Sequence, residues 1–259
     1  MTSQTIALFR YLMLGIVSRR LFSLLAILLL AAILCGSFLQ ELAIINGAAI
    51  VSAFVADLLR YCMVLLALLM VASAVAEDYE SRQFERLLTM PLARWQYIAA
   101  QFLVIASLCL LLVLPVFLLM SIYSGVAIGC YWALALWLEL MLISLLGLLA
   151  ILSLEKVPLA VFFSLAIYLL AKLSGLISLM LAESVRLSDG SAASRAMELI
   201  FGAILYLVPD TGSFAQNNVF FHAVDLFATL ADQFFSVAVY LLFLLAVCLV
   251  DFYRKEFNF

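Results

Sequence analysis

Long runs without a charged side chain dominate the sequence. Four of them carry no Asp, Glu, Lys or Arg: 21–39, 61–76, 97–138 and 234–250. About 20 consecutive apolar residues cross the hydrocarbon core of a bilayer as an α-helix. Backbone groups in lipid must be satisfied within the segment, and the sequence lacks the alternation over about 10 residues that is typical of a barrel strand. The pattern therefore predicts an all-α, polytopic membrane protein.

We expect six membrane-spanning helices in a single transmembrane domain, 1–259. Their predicted bounds are about 21–39, 52–76, 97–123, 127–154, 158–181 and 234–252. Pro115 lies inside the third span, and we expect a kink there because proline removes a backbone hydrogen bond. Very short turns are predicted at 124–129 and at Glu155-Lys156.

Composition and charge refine this interpretation. The chain is 69% hydrophobic and 11% charged, against roughly 45–50% apolar and about 25% charged in globular domains. Basic residues accumulate on the cytoplasmic side of membrane proteins. If both termini are cytoplasmic, nine of the thirteen basic residues lie inside, three lie outside and Lys172 lies within a span. We therefore predict a multi-pass protein with both termini in the cytoplasm.

Two segments lie outside the predicted spans. In 3–19, Ser3, Arg10 and Ser18 share one helical face, which suits an interfacial helix on the inner surface, although a simple extension of the first span is the alternative. In the outer segment 183–233, the apolar stretch 197–208 is about 12 residues long, too short to cross the bilayer. We expect short or re-entrant helices there.

The densest cluster of charge is EDYESRQFERLLTMPLARW, residues 77–95, which carries seven charged side chains. Phe84, Leu87 and Leu88 follow the i, i+3, i+4 spacing of a helical apolar stripe. Pro91 disfavours the helical conformation of the residue before it, and Arg94 suits a lipid–water boundary. The pattern predicts a short amphipathic helix at 77–90, either a solvated connector or a docking element for a soluble partner.

This segment resembles the cytoplasmic loop of type-2 ABC exporter permeases. In that family the loop between the second and third spans has a typical order of residues. An acidic residue comes first, often followed by Gly-Thr, and Leu-Glu-x-Leu-Leu then precedes a proline. The matching residues here are Glu80, Phe84, Glu85, Leu87, Leu88, Thr89 and Pro91. Asp78-Tyr79-Glu80 and the spacing from Glu85 to Pro91 are also similar to the haem exporter B subunits. Arg82 replaces the usual glycine, so we expect the backbone to differ there.

The resemblance implies a coupling helix that docks into a separate ATPase subunit. The docking residues would then be Glu80, Phe84, Glu85, Leu87, Leu88, Pro91 and Arg94. It further implies two copies of the ATPase, a second copy of this chain or a related permease, and outward transport across a cell inner (plasma) membrane. ATP and Mg²⁺ would reside on the partner subunit, with no cofactor in this chain. Lipid-like molecules, peptides, drugs and haem precursors all remain open as substrates.

Motifs for catalysis are absent from the sequence. It contains no GxxxxGK[ST] phosphate loop, a single histidine (His222) and no CxxC pair. We therefore expect a transporter subunit that is not itself an enzyme, with no catalytic residues, no metal site and no nucleic-acid partner.

Charged and aromatic residues inside the spans supply a second candidate site. Glu139 and Lys172 lie at similar depths in the fourth and fifth spans, so we predict a salt bridge or a shared water-filled crevice. A substrate contact and a Lys172 that snorkels alone are the alternatives.

Asp57 and Arg60, at i and i+3, are interpreted as an ion pair anchoring the outer interface. The aromatic cluster is interpreted as an interfacial belt, or alternatively a substrate lining, and comprises Tyr123, Tyr131, Trp132 and Trp137.

Two other functions compete with a permease. A proton-coupled secondary transporter would use Glu139 and Lys172, and would transport without ATP. A non-transporting scaffold would use the 77–90 helix to hold a soluble partner without moving a substrate.

Overall fold

Six α-helices make up the part of the chain that the computed structural model describes. Backbone is described for Met13, 21–42, 47–80, 94–187, Phe220 and 226–254, and side chains for Met13, 23–41, 47–76, 95–173, Phe220 and 226–254. The helices are α1 (Leu21–Leu42), α2 (Gly47–Glu80), α3 (Arg94–Ser124), α4 (Val126–Leu154), α5 (Val157–Leu187) and α6 (Leu226–Arg254). Each contains one predicted span, and no strand occurs in these ranges.

The helices have the length and composition of membrane spans. Five apolar segments in the described ranges are long enough to cross a bilayer: Ser23–Glu41, Gly47–Ala76, Trp95–Ser124, Val126–Leu154 and Leu226–Arg254. A shorter apolar segment in α5 covers Val157–Leu173. The described part of the chain is thus helical and has the apolar helices of a membrane-embedded protein, and the count of six spans stays a prediction.

Helix α2 is longer than the span predicted for it. It has 34 residues, and at 1.5 Å per residue its length is ~51 Å, against a hydrocarbon core of ~30 Å. Residues 77–80, which were predicted to begin a separate coupling helix, instead continue α2. The remainder of that predicted helix, 81–90, lies outside the described residues.

Most of the two other segments predicted outside the spans, 3–19 and 183–233, also lies outside the described residues. Within 3–19 only Met13 is described, and its sulfur accepts a hydrogen bond from Ser107 Oγ at 3.1 Å. Within 183–233 the described residues are the end of α5, Phe220 and the beginning of α6. The interfacial helix and the short outer helices therefore stay predictions.

Helix α4 lies at the centre of the bundle. It packs against α2, α3, α5 and α6, and most of its side chains are buried. Helices α1 and α6 are mostly exposed and lie at the periphery. This position suits the sequence of α4, because a helix that is apolar on all sides is stable when other helices or lipid surround it.

Tight turns fix the order of α3, α4 and α5. Gly125 alone separates α3 from α4 with φ 86°, a conformation that glycine adopts readily. The very short turn predicted between these helices is confirmed, but it is shorter than the predicted range 124–129 because both helices extend into that range. Glu155 ends α4 in the left-handed conformation, with φ 58° and its N–H bonded to Ile151 O at 3.0 Å. The turn predicted at Glu155-Lys156 is confirmed. Helix α3 includes Pro115, and the kink expected there stays a prediction.

Close packing of α3 and α4 depends on Gly129. A Cβ atom on this residue would lie 2.9 Å from Ser121 N and 3.0 Å from Ser121 Cα. Small residues allow helix backbones to approach closely in membranes. Gly147 also faces a neighbour, but its added Cβ would meet only the end of a side chain, Leu68 Cδ2 at 2.8 Å.

We predict that Gly129→Ala destabilises the protein more than the matched change Gly147→Ala. The first substitution pushes against backbone atoms of α3 and should cost about 1–3 kcal/mol, as overpacking does. The second is relieved by rotation of Leu68, and replacement of a helical glycine offsets part of its cost. Thermal unfolding in detergent measures both, and equal losses would contradict the packing described for Gly129.

Candidate functional site

Glu139 and Lys172 meet at the centre of the bundle. Lys172 Nζ lies 2.8 Å from Glu139 Oε1, and the Glu139 side chain is fully buried. Glu139 lies fifteen residues before Leu154 at the end of α4, and Lys172 lies fifteen after Val157 at the start of α5. The short turn between these helices therefore sets both side chains at the same level. The structure brings together the two charges that the sequence suggested as a pair.

Tyr168 is a second donor to the same carboxylate oxygen. Its hydroxyl donates a hydrogen bond to Glu139 Oε1 at 3.0 Å. Tyr168 and Lys172 are four residues apart and so share one face of α5. Lys172 Nζ also lies 5.9 Å from the centroid of the Tyr168 ring, within the range of a cation–π contact. Helix α5 thus holds Glu139 Oε1 with two donors at close range.

Arg60 brings α2 into the same cluster. Arg60 Nε lies 3.7 Å from Glu139 Oε2, and Arg60 Nη1 lies 3.4 Å from Asp57 Oδ1. The side chain of Arg60 is 7% exposed, whereas that of Asp57 is 43% exposed. The predicted ion pair is present, and the Arg60 side chain is buried within the bundle, where the prediction of an interfacial anchor implies an exposed one. Its guanidinium turns inward because the buried carboxylate of Glu139 attracts it.

Trp132 forms a wall of this charge centre, by which we mean Glu139, Lys172, Tyr168, Arg60 and Asp57. Arg60 Cζ lies 5.7 Å from the centroid of the fully buried Trp132 ring. Trp132 precedes Glu139 by seven residues, so both lie on one face of α4. A desolvated cation over an indole ring gains favourable electrostatic energy.

The aromatic-belt interpretation is wrong for Trp132 and Tyr131. Trp132 is buried beside Arg60, and Tyr131 is buried with its hydroxyl accepting a hydrogen bond from Gln233 Nε2 of α6 at 3.3 Å. Trp137 and Tyr123 are half-buried, and Trp137 Nε1 donates to Ala106 O of α3 at 3.3 Å. The physical reason is the central position of α4, whose aromatic residues meet protein on most sides.

The charge centre can hold three helices in register. Two cations and two carboxylates are contributed by α2, α4 and α5, so the formal charges balance. Charges buried in a membrane protein are costly unless they are paired, and they commonly mark functional positions. Among the described side chains, no three His, Cys, Asp or Glu come together as a metal site requires. The expectation of no metal stays a prediction.

The structure describes two of the predicted docking residues. Glu80 is the last residue of α2 and Arg94 is the first of α3, with backbone alone described for both. The other docking residues fall outside the description and are Phe84, Glu85, Leu87, Leu88 and Pro91. The segment that would dock a partner therefore lies between α2 and α3 in the sequence.

Sequence reasoning missed Tyr168 and did not connect Trp132 and Arg60 with Glu139. Tyr168 had a detectable signal, because it stands one helical turn before Lys172 on the same face. Trp132 stands two turns before Glu139. Arg60 was interpreted as exposed at the outer end of the second span, which was predicted to begin at 52, whereas α2 begins at Gly47 and the Arg60 side chain is buried against Glu139.

No protein-family model matches the chain, and no curated protein matches it. The function proposed below therefore rests on the residues of the chain itself.

We predict that Tyr168→Phe lowers the free energy of unfolding by about 1.5–3 kcal/mol, the usual contribution of a hydrogen bond to a charged group. The matched control is Tyr61→Phe, because Tyr61 is 47% exposed and meets Tyr168 only by a ring contact, at 6.3 Å between centroids. The control should change stability by less than about 0.5 kcal/mol. Unfolding in detergent tests both, and a silent Tyr168→Phe would show that its hydroxyl does not stabilise Glu139.

Proposed function

We propose that this chain is the membrane-spanning permease subunit of an ATP-driven ABC transporter that works as an exporter. The observation that carries the proposal is the charged segment 77–94, whose residues resemble the coupling helix of type-2 ABC exporter permeases. The position of this segment between α2 and α3, two long apolar helices, supports the same function.

The continuity of α2 supports a mechanical role for the segment. Arg60 and Glu80 are twenty residues apart on one uninterrupted helix, a distance of ~30 Å along its axis. Arg60 reaches Glu139 of α4 at 3.7 Å. A force applied by a soluble partner near Glu80 would therefore reach the charge centre through a stiff element, as rigid-body helix shifts require.

The proposal assigns the parts of a complete transporter. Two ATPase subunits, with ATP and Mg²⁺, would dock on two copies of this chain or on one copy and a related permease. Each copy would contribute six spans, an inner interfacial helix at 3–19 and both termini on the cytoplasmic side of an inner membrane. Closure of the ATPase pair would then switch the spans between two packings.

The buried carboxylate favours a second candidate, a proton-coupled secondary transporter. Glu139 is fully buried and bonded to two groups that carry protons, Lys172 and Tyr168. This function would give transport that follows a proton gradient and persists without ATP. We rank it second because it leaves the docking pattern of 77–94 without a role.

We predict that Leu87→Asp/Leu88→Asp abolishes binding of the ATPase subunit. Burial of the two leucines against a partner would favour binding, and two new carboxylates would have to be desolvated at the interface. The measurement is co-purification from native membranes of a subunit that binds and hydrolyses ATP, together with ATP-dependent transport.

The matched control is Ser81→Asp/Gln83→Asp, which adds the same charge to the segment outside the apolar stripe of Phe84, Leu87 and Leu88. It should retain most of the ATPase. Retention of the ATPase by the leucine variant would overturn the docking assignment. Transport that survives complete removal of ATP would favour the proton-coupled alternative.

A further inference from the structure

We propose that Arg60 is the movable contact of the charge centre. In this inference it exchanges between Asp57 on its own helix and Glu139 on α4. The exchange lets α2 shift against a fixed pair of helices, α4 and α5, without leaving a buried charge uncompensated.

The joint between α4 and α5 has the geometry of a fixed contact. Lys172 and Tyr168 approach Glu139 Oε1 at 2.8 and 3.0 Å. The first distance is that of a strong charge-assisted hydrogen bond, for which ~2.7–2.9 Å is usual. The turn at Glu155 further limits movement between the two helices, because only two residues separate them.

The joint between α2 and this pair is looser. Arg60 lies 3.7 Å from Glu139 and 3.4 Å from Asp57, so neither contact has the short distance of the Lys172 bond. Glu139 Oε2 lacks a hydrogen-bond partner among the described residues. Arg60 therefore does not form the parallel two-bond arrangement by which an arginine grips one carboxylate. A cation at intermediate distance from two carboxylates is suited to favouring either one.

Asp57 lowers the electrostatic cost of moving Arg60 away from Glu139. A lone arginine moving away from Glu139 within an apolar bundle would be strongly disfavoured. Asp57 lies three residues before Arg60 and travels with it on α2, so a negative charge stays close to the guanidinium in both positions. The ring of Trp132 also attracts the Arg60 guanidinium, and this attraction depends little on how the guanidinium is rotated above the ring.

The apolar contact between α2 and α4 is compatible with such a shift. Gly147 of α4 offers no side chain at the point where Leu68 of α2 approaches it. Apolar packing is non-directional, so it resists a small displacement less than hydrogen bonds do. A consequence for transport rests on the proposed function, whereas the exchange of Arg60 is a property of this chain alone.

Distance measurements between spin labels test the exchange in the full-length chain in lipid nanodiscs. One pair joins α2 to α5 through Ile50→Cys and Leu159→Cys, and the matched pair joins α4 to α5 through Val126→Cys and Leu159→Cys. All three positions are exposed. The exposed and half-buried native cysteines are replaced by alanine; they are Cys35, Cys62 and Cys130.

Asp57→Asn removes the negative charge that attracts Arg60 on its own helix. Glu139→Gln removes the negative charge that attracts Arg60 towards α4. We expect these variants to shift the α2–α5 distance distribution in opposite directions, and Asp57→Asn to leave the α4–α5 distribution unchanged. Asp57→Glu should restore the original α2–α5 distribution. Since no ATPase is needed, failure of this test is distinguishable from failure of the proposed function.

The proposal is overturned if Asp57→Asn leaves the α2–α5 distribution unchanged, or if it moves the α4–α5 pair equally. It is also overturned if both variants shift α2 in the same direction. Should Glu139→Gln fail to fold, the response to Asp57→Asn and its recovery in Asp57→Glu still decide the matter, because a merely structural Asp57 would not alter one helix pair selectively.

Discussion

The structure depends on the burial of one carboxylate, that of Glu139, inside an apolar helical bundle. An isolated charge in such surroundings is strongly disfavoured, so its partners must be present at short range. Lys172 and Tyr168 satisfy one oxygen from α5, and Arg60 approaches the other from α2. This requirement fixes the level at which α4 and α5 face each other and turns Arg60 towards the interior, where Trp132 packs beneath it.

Helix α2 links the charge centre to the segment that resembles a coupling helix. Helix α2 is continuous from the neighbourhood of Arg60 to Glu80, where the segment that resembles a coupling helix begins. In the function we propose, a soluble ATPase grips that segment and α2 carries its motion inward. The strong contact of α4 with α5 and the longer contacts of Arg60 then divide the bundle into a fixed part and a movable part.

Local pattern in the sequence was sufficient for some features and not for others. The predicted apolar spans located every described helix to within a few residues at most ends, and equal depth in adjacent helices suggested the pair of Glu139 with Lys172. The place of Arg60 and Trp132 could not be read in this way. Whether a residue near the end of a span meets lipid or protein depends on which helix is central, and that follows from how all six pack. The turn at Gly125 is shorter than the predicted range 124–129 for a related reason, because helices continue as far as packing and a permissive glycine allow.

The most direct test of this account is a double-mutant cycle on Glu139→Gln and Lys172→Met, measured as free energy of unfolding in detergent. Each single change removes one member of the closest ion pair and leaves the other member buried, so each should cost on the order of 3–5 kcal/mol. The double variant removes both members of the pair and should cost clearly less than the two single losses combined, with a coupling of about 2 kcal/mol or more. Strictly additive losses would contradict a bundle organised around this ion pair.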